Sequence, residues 1–403
     1  MALNALAIDI MLPALDRIAS DFAIGDPNDR QLVVVAYVLG FGVPQLFYGP
    51  LSDRIGRKPV TLLSLLGYTL TGVACAFAGS FHALLALRFA QGLFAAGCRV
   101  TAIAVVRDVY RGRGMARIMS LVMTVFMVIP IAAPGLGQLV LMVAPWQWCF
   151  HVLGIAGAAL FLWVTFRLPE TLPTEKRSPL SVVGTLKAYG AVFKNPVSRG
   201  YTLAAGIIFA SLFAYISSSE QVFREVFEVG DAFALYFAGI ALALSVANFL
   251  NSRLVEKWGM RRLGHGAVVG FTVTAGILLA LTHAFGDRLD VFLPLFALCF
   301  ACFGMIGANF NALAMEPLGH IAGTASAAFG FITTTLSGVL GGLVGRAFDG
   351  TTIPLLSGLV VLGGTSLGMV LLTERGRLFG ADEAGEPEDG GLEPVGAQRP
   401  SRP

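Results

Sequence analysis

The sequence predicts an all-α membrane protein with twelve transmembrane helices in two pseudo-symmetric six-helix bundles. Three observations carry that expectation. Of the 403 residues, 56% are hydrophobic and only 13% charged, with a mean hydropathy of +0.75. Soluble domains carry about 25% charged residues, so about half of the usual polar surface is missing. The apolar residues fall into twelve runs, and a charged turn between two runs returns 203 residues later. In that repeat Asp53, Arg54, Gly56 and Lys58 are answered by Glu256, Lys257, Gly259 and Arg261.

The runs lie at 1–15, 31–51, 59–80, 83–106, 118–141, 146–166, 200–221, 232–252, 263–284, 289–314, 323–345 and 352–373. A helix needs about 20 residues to cross the roughly 30 Å hydrocarbon layer, and all runs after the first meet that need. The first reaches only about 22 Å at 1.5 Å per residue. Either it is abnormally short or its beginning lies upstream, and a truncated first helix is the expectation. It is not a signal peptide, because it lacks a basic leading region and carries Asp9.

Loop charge sets the orientation. One side holds Arg54, Arg57, Lys58, Arg107, Arg111, Arg113, Arg117, the segment 167–199, Arg253, Lys257, Arg261 and Arg262. The other holds Arg17, Arg30, Arg224, Arg288 and Arg346. The basic side and both termini are expected to face the cytoplasm of a bacterial inner membrane. The expected organisation is a first bundle over 1–167, a cytoplasmic linker over 168–198, a second bundle over 199–375 and a disordered cytoplasmic tail over 376–403.

Several functions are excluded. A net charge of +3 without a basic cluster outside short loops argues against a nucleic-acid partner. No Gly-x-x-x-x-Gly-Lys-Ser/Thr loop is present, so an ATP-driven pump has no support. The five cysteines fall in or beside apolar runs, and the five histidines are scattered singly. No metal, cofactor or enzymatic triad is expected.

Ionisable groups inside spans mark pathways or partners. Asp9 in the first span and Arg88 in the fourth are placed at matching depth, in the outer third remote from the basic side, and form the expected proton switch. A static ion pair tying these two spans is the plainer alternative. Arg88, Gln91, Gly92, Ala95 and Arg99 follow three- and four-residue steps and share one helix face. Gln91, Ala95 and Arg99 are accordingly expected to line a cavity near the bilayer centre. Arg99 could instead bond carbonyls of a neighbouring helix. In the fifth span, Pro130, Pro134, Gly135 and Gly137 predict a bend or tight crossing. Gly338, Gly341, Gly342 and Gly345 form the corresponding face of the eleventh. Gly49, Asp53, Arg54, Gly56, Arg57 and Lys58 are expected to latch helix ends on the basic side. Their partners would be Arg107, Asp108 and Arg111, with Glu256, Lys257, Gly259 and Arg261 as the second copy.

The run Gly49-Pro50-Leu51-Ser52-Asp53-Arg54-Ile55-Gly56-Arg57-Lys58 resembles the loop joining helices 2 and 3 of major facilitator superfamily transporters. Residues 7–15, Ala-Ile-Asp-Ile-Met-Leu-Pro-Ala-Leu, resemble the helix 1 signature of twelve-span drug:proton antiporters. Arg88-Phe89-Ala90-Gln91-Gly92 resembles the helix 4 motif whose arginine is implicated in proton coupling, and Ala133-Pro134-Gly135-Leu136-Gly137 resembles the helix 5 antiporter motif. Residues 107–110 and 219–227 resemble the bicyclomycin/chloramphenicol resistance (Bcr/CflA) group. Glu220 departs from that group, which often has a proline there, and the helix 5 motif matches loosely.

The resemblance implies a monomeric drug:proton antiporter working by alternating access. Its substrates would be small amphipathic compounds, its energy source the proton gradient, and its only other partner the lipid bilayer. The alternative is a symporter or uniporter for an anionic metabolite clamped by Arg88 and Arg99. A non-transporting membrane scaffold would need an ordered partner domain, of which the sequence shows no sign.

Overall fold

The computed structural model describes residues 2–110, 112–177, 190 and 192–380. Arg111, much of the predicted linker and residues 381–403 of the predicted tail lie outside the described residues.

Twelve helical spans follow one another, with no strand among the described residues. In the first half they are residues 2–21, 27–55, Arg57–Cys75, Phe81–Val109, Gly112–Val143 and Gln147–Arg167. In the second half they are 196–226, Phe233–Trp258, Met260–Phe285, Leu289–Met315, Ala322–Arg346 and Ile353–Thr373. Eight described helices are long and apolar enough to cross a bilayer, and the bent second span makes nine. The first, third and fifth complete the set.

The first span corrects the length expected of it. It does not stop at Leu15: an α-helix over Ala2–Asp9 is followed by a 3-10 turn at Leu12–Ala14 and a further helix over Leu15–Asp21. Pro13 accounts for the break. A proline ring clashes with the carbonyl four residues earlier, here that of Asp9, where the α-helix ends. The second span bends by 44° between Pro27–Gly42 and Gln45–Ile55, with Pro44 opening its second segment. The seventh begins at Pro196, with Asn195 accepting from the backbone N–H groups of Val197 and Ser198. It finishes in a π-helical turn over Val222–Val226.

The internal repeat is visible in the backbone. Gly56 ends the second span at φ 115° and ψ 159°, and Gly259 ends the eighth at φ 78° and ψ 158°. Both conformations lie where a Cβ is disfavoured, so the two glycines turn the chain alike at matching places in the two halves. In the second half Phe292, Phe296 and Phe300 stack in a buried column with centroids 4.6 and 4.8 Å apart. Part of the phenylalanine content is therefore core rather than lipid-facing surface.

The halves meet along the second and eleventh spans. Gln31, Val35, Val38, Gly42 and Gln45 oppose Gly345, Gly342, Gly338, Thr335 and Gly330 in antiparallel order. Steps of three and four residues on the second span, and of three to five on the eleventh, make two facing stripes, and the glycines allow close approach. Gly341 meets the Ala210 carbonyl of the seventh span.

Candidate functional site

Asp9 is buried at 2% exposure, at the end of the first α-helix, and its Oδ1 meets no hydrogen-bond donor among the described residues. The 3-10 turn that follows Asp9 packs against the seventh span, where the buried Tyr215 hydroxyl likewise has no hydrogen bond among the described residues. Arg88 is fully buried but does not pair with Asp9. Its Nη2 donates to the Ala7 carbonyl at 2.9 Å, its Nε to the Val33 carbonyl at 3.1 Å and its Nη1 to Gln91 Oε1 at 2.7 Å. The guanidinium also lies 4.5 Å from the Tyr37 ring centroid. Arg88 touches the turn that carries Asp9, but the expected ion pair is not formed. Two backbone carbonyls and the Gln91 side-chain oxygen take the donors instead.

The shared face of the fourth span is largely a packing face rather than an open cavity wall. Gly92 admits the Tyr37 backbone, and Gln91 sits buried against Gly72 of the third span. Ala95 is also buried. Arg99 differs: it is half-buried, lies 5.6 Å from the Phe41 ring centroid and has no hydrogen bond or ion pair among the described residues. Arg88, Gln91 and Gly92 thus join the first, second and third spans to the fourth, and Arg99 is left without a hydrogen-bond or ion-pair partner among the described residues.

On the basic side the network is centred on Arg57. Its Nη1 pairs with Asp53 at 2.6 Å and its Nε with Asp108 at 2.9 Å, joining the second, third and fourth spans. Its Nη1 also donates to Ser52, whose hydroxyl donates to the Gly49 carbonyl. Glu170, unnoticed in the sequence, covers the start of the third span by accepting from the backbone N–H groups of Arg57 and Lys58. Burial alone pushes its carboxyl up, but donation from the N–H groups of Leu172, Arg57 and Lys58 outweighs this and holds it below the ordinary carboxylate value. Gly56 has no room for a side chain because Glu170 occupies the space.

The second copy is built on Arg261, which bonds Glu374 at 3.2 Å and Glu316 at 3.4 Å. Lys58 reaches the Thr165 carbonyl at the end of the sixth span, and Arg261 reaches Glu374 at the end of the twelfth. The repeated cations therefore hold equivalent helix ends. Arg54, Arg107, Glu256 and Lys257 are exposed and make no ion pair among the described residues.

At the opposite end the bonds cross between halves. Arg30 pairs with Asp16 at 2.7 Å, with Glu225, and with Glu220 at 3.7 Å. Arg346 pairs with Asp29 at 2.7 Å, Gln31 bonds Gln221, and Asn28 accepts from Gln221 at 2.7 Å. Sequence spacing concealed this clasp, since its members lie as far as 318 residues apart.

The fifth span runs as one helix through Pro130 and Pro134. A Cβ on Gly137 would overlap the Ile10 carbonyl, at the break of the first span, whereas Gly135 has nothing within 4 Å. The tight crossing is therefore at Gly137.

The Major Facilitator Superfamily profile matches residues 1–375. The chain is 33% identical to the uncharacterized MFS-type transporter YdgK of Bacillus subtilis, over 85% of this chain and 86% of the relative. It is 31% identical to a bicyclomycin resistance protein homolog of Haemophilus influenzae, over 88% and 89%. A chloramphenicol resistance protein of Pseudomonas aeruginosa is 28% identical over 85% and 81%. Among solved structures, a D-xylose–proton symporter superposes with a TM-score of 0.73 at 14% identity, covering 92% of this chain and 95% of the other. Twelve spans in two repeated halves and a profile matched along them place the chain in the Major Facilitator Superfamily, a family of transporters.

Proposed function

We propose that the protein exports small amphipathic compounds, antibiotics among them, in exchange for protons. Support comes from relatives named for resistance to bicyclomycin and chloramphenicol. The observation that carries the coupling is Asp9, a buried carboxyl with an oxygen unbonded among the described residues, at a helix break that packs against the seventh span of the other half. Such a group changes its proton occupancy whenever rocking of the halves alters its access to water. Arg88 holds the turn carrying Asp9 and acts through the backbone.

The basic loops face the cytoplasm of a bacterial inner membrane in this reading. The clasp of Arg30 then lies outside, and the conformation is closed to the exterior. The protein works as a monomer, with no cofactor beyond the proton gradient. The Arg57 and Arg261 networks brace the inner helix ends of each half, and the chain connecting the halves and the tail stay cytoplasmic.

The test is a drug-susceptibility panel in a pump-deficient host, with and without a protonophore, comparing the natural chain with Asp9→Asn. Resistance that vanishes with the protonophore and with the variant, while membrane insertion persists, supports the reading. Export against a gradient by the variant overturns it. A second reading, carriage of an anionic metabolite, is favoured by the unpaired Arg99 guanidinium beside Phe41. It predicts uptake of a carboxylate or phosphate solute that Arg99→Gln abolishes.

A further inference from the structure

The transport reading makes no use of Glu220, although this carboxyl lies at the centre of the clasp between the halves. Glu220 is 2% exposed, and among the described residues its Oε2 has no hydrogen bond. The nearest cations stop short of bonding distance: Arg30 Nη1 at 3.7 Å and Arg224 Nε at 4.0 Å. Arg30 spends its close contacts on Asp16 and Glu225.

Charge is unbalanced here. Asp16 from the first span and Glu220 and Glu225 from the seventh supply three carboxylates, against the two guanidinium groups of Arg30 and Arg224. Asp29 of the second span and Arg346 of the eleventh form their own pair and cancel. The side chains of Asp16 and Glu225 are 67% and 47% exposed, whereas those of Glu220 and Arg30 are each 3% exposed. Water therefore stabilises the two outer carboxylates, and the uncompensated charge falls on the dry one, where an ion without direct hydrogen bonds is unfavourable.

We propose that Glu220 is a second proton-binding carboxyl, loaded from the exterior as the clasp closes. When the halves part at this end, Glu220 is wetted and gives its proton to water. When they close, a hydronium ion returns the proton to the carboxylate, forming one O–H bond and leaving water. Closure takes up one proton, and the cluster becomes neutral. The proposal rests on the transport reading and its orientation, but its proton is separate from that of Asp9.

The experiment places spin labels at Gly25 and Ala347, exposed loop positions of the two halves at this end, and measures their separation in nanodiscs between pH 5 and 9. The expected result is an open-to-closed ratio that rises with pH, by up to about tenfold per unit for one linked proton. Glu220→Gln, which cannot ionise, should stay closed at every pH. Asp9→Asn should keep the slope even though it loses drug-coupled transport. A pH-independent separation in both the natural chain and Asp9→Asn overturns the proposal. So does a Glu220→Gln variant that keeps the natural slope. Loss of resistance in Asp9→Asn is read separately, so the two ideas fail by different measurements. Should Glu220→Gln fold poorly, the slope in Asp9→Asn still decides.

Discussion

Arg88 Nη2 donates a 2.9 Å hydrogen bond to the carbonyl oxygen of Ala7, two residues before Asp9. Together with bonds to Val33 and Gln91, this directs the donors of one guanidinium at three acceptors on three spans. A lysine at the same place offers one point of charge and cannot reach all three. Arg88→Lys should therefore leave at least one buried acceptor unpaired, at about 1–3 kcal/mol. The expected outcome is a lowered melting temperature in detergent and impaired transport. Unchanged melting would show that these bonds do not hold the Asp9 turn.

The contrast between Gly137 and Gly135 gives a paired test in one helix. A methyl group on Gly137 meets the Ile10 carbonyl, while Gly135 faces open space. Gly137→Ala should push the first and fifth spans apart and cut the yield of folded protein sharply. Gly135→Ala should be neutral or slightly stabilising, by up to about 1 kcal/mol, because glycine is the poorer helix former. Equal behaviour of the two variants in size-exclusion yield would contradict the crossing.

On the basic side, Arg57 is nearly buried while its partners differ: the Asp108 side chain is 17% exposed and that of Asp53 44%. Exposed pairs are worth about 0–1 kcal/mol, and buried ones cost more to break. Asp53→Asn should slow cycling without changing which compounds bind. Asp108→Asn should slow it further, since Arg57 then loses its drier partner. Transport rates in proteoliposomes and binding by the same preparation check both, and altered selectivity would count against a latch.

Much of this architecture was legible because it depends on local chemistry. Pro13 is a local sign of the helix end at Asp9 that the expected run 1–15 passed over, and the charges after Leu15 hid the continuation to Asp21. Gly56 and Gly259 were readable as a repeat because a positive φ demands glycine in both copies. Partners of buried groups were not readable. Arg88 and Asp9 suggested a pair by residue type, but rotamers and nearby carbonyls decided otherwise. Glu170, Glu316 and Glu374 gave no local sign of their roles, because each meets its cation only after distant helix ends converge. Arg30 looked like a sparse loop charge for the same reason.

Glu170 offers a pH test outside the membrane. Its carboxylate accepts from the first N–H groups of the third span, where the helix dipole also favours negative charge. The docked value is depressed relative to the free one. The stabilisation is therefore complete above the ordinary glutamate value of about 4.3 and is lost as pH falls through the lower, docked value. Near neutral pH the contact should be insensitive to pH. Acidification below about pH 4.3 should release the segment 168–172 from the helix start. Glu170→Gln should weaken the contact at neutral pH and remove its share of the acid response. Proteolysis of that segment or its hydrogen exchange, followed from pH 7 to pH 3, checks the sign. A contact that tightens on acidification would contradict the arrangement.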